Sequence, residues 1–123
     1  MSKTVAVIGA SSDRHKYGNK ALRAFAKQGY VVLAINPNET EVEGYRTYAS
    51  VLDVAEPIDM ATLYVQPEVG VRVVEELAKK QVGEVWLNPG ADAPDVVRRA
   101  RELGLNTIRA CSIMGIGDSP GRY

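Results

Sequence analysis

Apolar positions along the chain fall into two kinds of run that take turns. Val5-Ala6-Val7-Ile8, Val31-Val32-Leu33-Ala34-Ile35, Ile58 to Val65, Glu84-Val85-Trp86-Leu87 and Asn106 to Cys111 are short and mostly continuous. Continuous apolar runs without alternation suit strands buried on both faces of a sheet. Between them the period lengthens. From Asn19 onward Leu22, Phe25, Ala26 and Gly29 fall at i, i+3, i+4 and i+7, with Lys20, Arg23 and Lys27 elsewhere. That spacing predicts an amphipathic helix stopped by Gly29. Pro67 fits the first turn of a second helix, with Val69, Val73, Leu77 and Ala78 as its apolar face. Glu68, Glu75 and Glu76 precede Lys79 and Lys80, the charge order that the helix dipole favours. A third helix has Asp92 as its cap, Pro94 in its first turn, Val96, Ala100 and Leu103 inside, and Gly104 at its end.

The remaining segments are less regular. Glu43-Gly44-Tyr45 reads as a turn, and Ser50 is placed to cap a short helix over Val51, Leu52, Val54 and Ala55 that Pro57 closes. Residues 112–123, with Gly115, Gly117, Pro120 and Gly121, read as an irregular surface tail. Five strands separated by helical segments predict an α/β, doubly wound, Rossmann-like domain over residues 1–123. The expected sheet is parallel and five-stranded, in the order 3-2-1-4-5, with helices on both faces. Ligands of such sheets bind beyond the carboxyl ends of the strands, where the order reverses. Here that lies between the first and fourth strands, faced by Gly9–Gly18, Asn36-Pro37, Gln66-Pro67 and Asn88-Pro89-Gly90.

Composition narrows the chemistry. The 123 residues carry 15 basic and 15 acidic side chains, so no general pull toward nucleic acid or a membrane surface is expected. No apolar run reaches the roughly 20 residues needed to span a bilayer, and Met1-Ser2-Lys3-Thr4 leads into a strand rather than a signal segment. A cytoplasmic protein is expected. One cysteine excludes an internal disulfide, and one histidine with one cysteine gives no metal-ligand set.

The stretch after the first strand carries the strongest chemical signal. A strand that delivers a loop to a helix N-terminus builds an anion site, because the first helical N–H groups lack partners and the dipole is positive there. Gly9 permits a sharp turn, and Ala10, Ser11 and Ser12 are small enough for a phosphate to approach the backbone. Arg14, His15 and Lys16 add cationic groups before Tyr17 and Gly18. A nicotinamide dinucleotide would want G-x-G-x-x-G and an acid ending the second strand. The second glycine is absent, and that strand ends in Asn36-Pro37. Both departures argue against NAD, and no arginine adjoins Asn36 for NADP.

Gly9-Ala10-Ser11, Ile35-Asn36-Pro37, Gly44-Tyr45-Arg46-Thr47-Tyr48 followed by Ser50-Val51-Leu52, Pro57-Ile58-Asp59 and Trp86-Leu87-Asn88 occur as an ordered set. Over about Thr4 to Cys111 this set resembles the free-standing CoA-binding proteins. Those are similar to the N-terminal domain of the succinyl-CoA synthetase α subunit and of NDP-forming acyl-CoA synthetases. The resemblance implies CoA, or an acyl-CoA, as the ligand. It implies that Gly9, Ala10, Ser11, Ser12 and the loop through Arg14, Lys16, Tyr17 and Gly18 hold the CoA phosphates. Asn36 and Pro37 would border the adenosine, and Val65, Gln66 and Pro67 would line the other side. Relatives often place a lysine or arginine after Asn-Pro to meet the 3′-phosphate. Here Asn38 and Glu39 follow, which leaves that charge to Arg14, Lys16 or Arg46.

The resemblance also implies that ligase chemistry needs a phosphorylated histidine on a second domain, which His15 does not match. No Ser–His–Asp arrangement is visible, and Cys111 reads as a packed small hydrophobe rather than a nucleophile. The expectation is therefore a CoA-binding protein without catalysis of its own, as a homo-oligomer or with an unidentified protein partner. An enzyme or subunit acting on acyl-CoA thioesters, and a nucleotide-binding module that does not use CoA, stand as alternatives.

Overall fold

The computed structural model describes residues 2–123. The first strand, β1 (Thr4–Ile8), shows why its run is apolar throughout. Val5 and Val7 point into one cluster with Leu22, Phe25 and Ile113, while Ala6 and Ile8 point into another with Val74, Leu77, Val96 and Ala100. Both faces are covered, so alternation has no solvent side to record. The first helix, α1 (Tyr17–Lys27), covers one face. On the other lie α2 (Pro67–Lys80) and α3 (Pro94–Glu102). Phe25 is fully buried and meets Tyr30 edge to face at 4.9 Å.

Three further predicted strands appear as β2 (Val31–Ile35), β6 (Glu84–Leu87) and β7 (Asn106–Arg109). The run from Ile58 to Val65 contributes β5 (Met60–Leu63). The order 3-2-1-4-5 is corrected. Two unforeseen strands, β3 (Glu41–Val42) and β4 (Tyr45–Tyr48), make a mixed seven-stranded sheet in the order β3-β4-β2-β1-β5-β6-β7. Glu43 and Gly44 both take positive φ, 49° and 82°, and form the two-residue hairpin turn between β3 and β4. After that turn β4 pairs parallel with β2, Ala34 opposite Thr47 and Ile35 opposite Tyr48. The place beside β2 is thus filled by a short, largely polar strand. The expected third strand, buried at all four positions, sits beside β1 instead, where both of its faces and both of its edges are covered. The order therefore reverses between β1 and β5, not between the first and fourth predicted strands.

Smaller corrections have local causes. α1 begins at Tyr17 rather than Asn19. α3 starts after Ala93, with no side-chain cap, because the Asp92 carboxylate accepts the Gly90 N–H of the preceding turn at 3.3 Å. The inner face of α2 is Gly70, Val74 and Leu77, with Val73 half-buried at its margin and Val69 exposed. Residues expected to form an irregular tail instead make a short helix, α4 (Ser112–Gly115), and a 3₁₀ turn (Pro120–Arg122). Ile113 is fully buried in the α1 cluster, and the Tyr123 ring lies under Arg23 and Lys27 of α1. Ser50 does cap its short turn, Val51–Asp53, by accepting the Leu52 N–H at 3.1 Å. Among the described residues, no helix is long and apolar enough to cross a membrane.

Candidate functional site

β1 runs into Gly9, whose φ of +88° turns the chain over the sheet edge. Its N–H still donates to Ile35 O at 2.9 Å, so the turn is pinned to β2. A Cβ on Gly9 would sit 2.5 Å from Tyr64 O, so the loop lies directly on the end of β5. α1 approaches from the other side. A Cβ on Gly18 would overlap the Gly9 carbonyl oxygen and lie 3.0 Å from its carbon. The two glycines therefore bring the α1 N-terminus down onto the loop. That terminus has no side-chain cap and no acid in its first turn. Its free N–H groups and positive dipole end face the strand ends.

Asn36 locks the loop to β2. Its Nδ2 donates to Ala10 O at 2.8 Å, and its Oδ1 accepts the Asn38 N–H at 2.8 Å. The buried Asn19 braces the loop from α1, donating to Ser11 O at 2.9 Å and to Glu43 at 3.1 Å. Between these elements runs a cleft of about 840 Å³. Gly9, Ser11, Lys16, Asn36, Pro37, Val65 and Gln66 line it, so those expected residues do come together. A second hollow of about 410 Å³ lies across Val65-Gln66, and Tyr17, Gly18, Pro89 and Gly90 line it. Lys16 and Tyr64 border both.

Other expected residues stand apart from the cleft wall. Ala10 is wholly buried and serves through its carbonyl. Pro67 begins α2. Arg14 turns away to Glu43 at 3.4 Å, and its carbonyl accepts from Arg23. Arg46 stacks on Tyr48 and borders a separate hollow behind Pro37. The His15 ring is fully exposed beside Asp13. The His15 backbone N–H holds the Asp13 carboxyl below its ordinary range. Cys111 is half-buried against the α1 cluster and precedes α4.

Sequence reasoning missed residues that reach the cleft from helices or beyond motif positions. Val69, Arg72, Val73 and Glu76 on α2 form one wall. Their spacing of i, i+3, i+4 and i+7 was the available signal. Glu39 was missed as a participant. Its Oε2 accepts the Ser12 N–H at 2.6 Å, and that bond lowers the carboxyl below its ordinary 4.5. Lys16 and Arg72 take part in none of the ion pairs among the described residues, which leaves two cations uncommitted at the cleft.

Beneath the second hollow lies a buried polar network. Asn88 Nδ2 donates to Thr62 Oγ1 at 2.7 Å and to Leu63 O at 2.9 Å, and its Oδ1 accepts the Ser112 N–H at 2.8 Å. Ser112 Oγ bonds Thr62 Oγ1 at 2.7 Å and Tyr64 OH at 3.1 Å. Burial raises the Tyr64 phenol above its ordinary value, so it stays protonated. The network ties α4 to the ends of β5 and β6 and sets the height of the Asn88-Pro89-Gly90 turn.

A mostly parallel sheet with a glycine turn, a close-packed helix N-terminus and a cleft at its reversal point defines a Rossmann-like α/β domain. The particular family follows from comparison. The chain belongs to the CoA-binding domain family, whose model matches residues 3–117. It is 37% identical over 89 residues to an ADP-forming acetate–CoA ligase of Archaeoglobus fulgidus, covering 72% of this chain and 13% of that one. The chain therefore spans about one eighth of that relative's length. Among solved structures, a hypothetical protein from Pyrococcus horikoshii superposes with a TM-score of 0.86 at 30% identity, over 92% of this chain and 80% of that one. An apo, dinucleotide-forming acetyl-coenzyme A synthetase of Candidatus Korarchaeum cryptofilum superposes with a TM-score of 0.73 at 29% identity, over 85% of this chain and 25% of that one.

Proposed function

We propose that residues 1–123 act as one unit that binds CoA or an acyl-CoA, with the diphosphate over the Gly9–Gly18 loop. The observation that carries this reading is the uncapped α1 N-terminus, held against the loop by the Gly9–Gly18 contact where the cleft meets the second hollow. Backbone N–H groups and a dipole end suit a diphosphate, and Lys16 and Arg72 add charge-assisted donors from two walls. Family membership and the printed names of the ligase relatives favour CoA over other nucleotides. The second hollow, across Val65-Gln66, gives the pantetheine arm a path past Pro89-Gly90.

We read the chain as binding its ligand without chemistry of its own. His15 is exposed with Asp13 as its partner, and Tyr64 is held protonated inside a satisfied network. The test is thermal unfolding with CoA, ADP, NAD and NADP at matched concentrations, followed by calorimetry. CoA at about 100 times its Kd adds roughly 2.7 kcal/mol, and its shift should exceed those of NAD and NADP. A larger shift with NAD overturns the reading. Turnover of acyl-CoA by the purified chain overturns its non-catalytic part.

A further inference from the structure

We infer that the far end of the cleft reads the base of the nucleotide, with Glu76 accepting the exocyclic amine of adenine. This rests on the proposed placement of CoA and adds the residue that selects its base. α2 sets the geometry. It starts at the strand ends and runs back along the sheet as the return between two parallel strands. Each turn therefore carries the cleft wall about 5 Å further from the Gly9 loop. Val69 stands first on that wall, Arg72 and Val73 one turn on, and Glu76 last. Pro37 and Ala49, from the ends of β2 and β4, line the same stretch. The part of the cleft before Glu76 is thus an apolar slot, and Val69 is 36% exposed, a surface that a flat ring would cover.

Glu76 closes this slot with half of its accepting capacity unused. Its side chain is half-buried and joins none of the ion pairs among the described residues. Oε1 accepts the Ser50 hydroxyl at 2.7 Å. That hydroxyl in turn accepts the Leu52 N–H at 3.1 Å, so its own proton is committed to Glu76 and fixes the carboxylate. Oε2 has no such partner among the described residues, and no unpartnered side-chain oxygen there is sealed from solvent, so Oε2 is open to a ligand. Lys80, one turn beyond, is taken by Val54 O, and Arg72, one turn nearer the loop, is left for the phosphates. An ionised carboxylate oxygen can only accept. The edge of adenine opposite the ribose carries an amine, which donates. Hypoxanthine carries an oxygen at that place, and two acceptors face to face leave both unpaired. With the diphosphate held at the loop, the ring cannot slide to offer its N1–H instead.

The experiment is calorimetric titration of the wild type and Glu76→Gln with CoA and with its hypoxanthine analogue, in which oxygen replaces the 6-amine. Thermal unfolding checks that the variant folds, and the wild-type comparison tests the inference without it. The wild type should bind CoA roughly tenfold or more tightly than the analogue, the scale of one charge-assisted hydrogen bond. Glutamine keeps an oxygen for the Ser50 hydroxyl and turns an amide N–H toward the base, where it can donate to the 6-oxygen. The affinity ratio should therefore move toward the analogue by roughly tenfold. A Glu76 that only holds Ser50 would shift both ligands equally. A wild-type ratio below about threefold overturns the inference, and so does a ratio that Glu76→Gln moves by less than about threefold. In either case CoA still binds, and the CoA reading stands. Failure of both ligands to bind the wild type removes that reading and this inference together.

Discussion

Gly18→Ala isolates the contact on which the proposed site depends. Gly18 lies in the first turn of α1 with ordinary helical backbone, so the substitution carries no penalty of handedness. The cost is space. The new Cβ would overlap the Gly9 carbonyl oxygen, stand 3.0 Å from its carbon and come within 3.4 Å of Ala10 Cα. Gly9 cannot move aside, because its N–H is tied to Ile35 O and its own α-carbon packs on Tyr64 O. The helix must therefore lift by something on the order of 1 Å to restore contact distances. Overpacking of this kind costs about 1–3 kcal/mol. The better helix propensity of alanine returns at most about 1 kcal/mol. A net loss of about 1–2 kcal/mol follows, or on the order of 5–10 °C in Tm. Lifting α1 also withdraws its N–H groups from the loop, which should weaken CoA binding by roughly tenfold or more. Gly29→Ala supplies the control. Gly29 has φ +89° with nothing within 4 Å of a Cβ, so it should lose about 1 kcal/mol by backbone strain alone and keep its affinity. Denaturant unfolding and calorimetry of both variants decide. If Gly18→Ala loses stability and binds CoA as the wild type does, the loop–helix spacing is not part of the binding site.

Ser11→Leu, on the cleft wall, should abolish measurable CoA binding while lowering the unfolding midpoint by no more than about 5 °C, since only the exposed bond from the Asp13 N–H is lost; unchanged affinity would place the ligand elsewhere. Lys16→Ala should weaken binding by about 1.5–3 kcal/mol and flatten its salt dependence, whereas Arg14→Ala, already committed to Glu43, should change affinity little; equal losses in calorimetry at two salt concentrations would contradict this sorting. Asn88→Ala strips partners from Leu63 O, Thr62 Oγ1 and the Ser112 N–H, and should cost about 2–4 kcal/mol in denaturant unfolding; a loss under about 1 kcal/mol would refute the network's structural role. The Glu39 carboxyl is lowered in the folded state, so the Ser12 contact is fully present above pH 4.5 and is lost as pH falls through the lowered value. The Ser12 amide resonance should follow that titration, and a midpoint at or above 4.5 would rule the contact out.

Local period was enough for the central strands because each is covered on both faces, and for α1 because one of its faces is wet. It was not enough for β4. Tyr45-Arg46-Thr47-Tyr48 has two exposed and two half-buried residues and no apolar run, so nothing in its hydropathy announces a strand. Its signals were of another kind: β-favouring Tyr and Thr after a two-residue turn ending in Gly44. Missing it moved the expected third strand to the wrong side of β1. Sheet order depends on which neighbour fills an edge, and that is a tertiary choice. Asp92 illustrates the same limit at a helix end, since its carboxylate had a nearer amide in Gly90 than any in α3.

The candidate site divides along a related line. Gly9, Lys16, Asn36, Val65 and Gln66 were legible because the strand-end loops of such a sheet converge wherever the order reverses, and a wrong neighbour on one side of β1 leaves the β1 loop at that reversal. Charge was not legible in this way. Arg14, His15 and Lys16 read along the chain as one cationic patch beside a phosphate. In three dimensions Glu43 takes Arg14 and solvent takes His15, and Lys16 alone faces the cleft with Arg72 from a helix that sequence reading assigned to the core. Glu39, which was read only as a residue following Asn-Pro, is tied to the loop through the Ser12 N–H. A chain of zero net charge thus holds a cleft with two uncommitted cations on its walls and one ionised carboxylate at the loop. Glu76 stands on the same wall as Arg72, so the charge of the cleft is set by which side chains the fold turns inward and not by the composition of the chain.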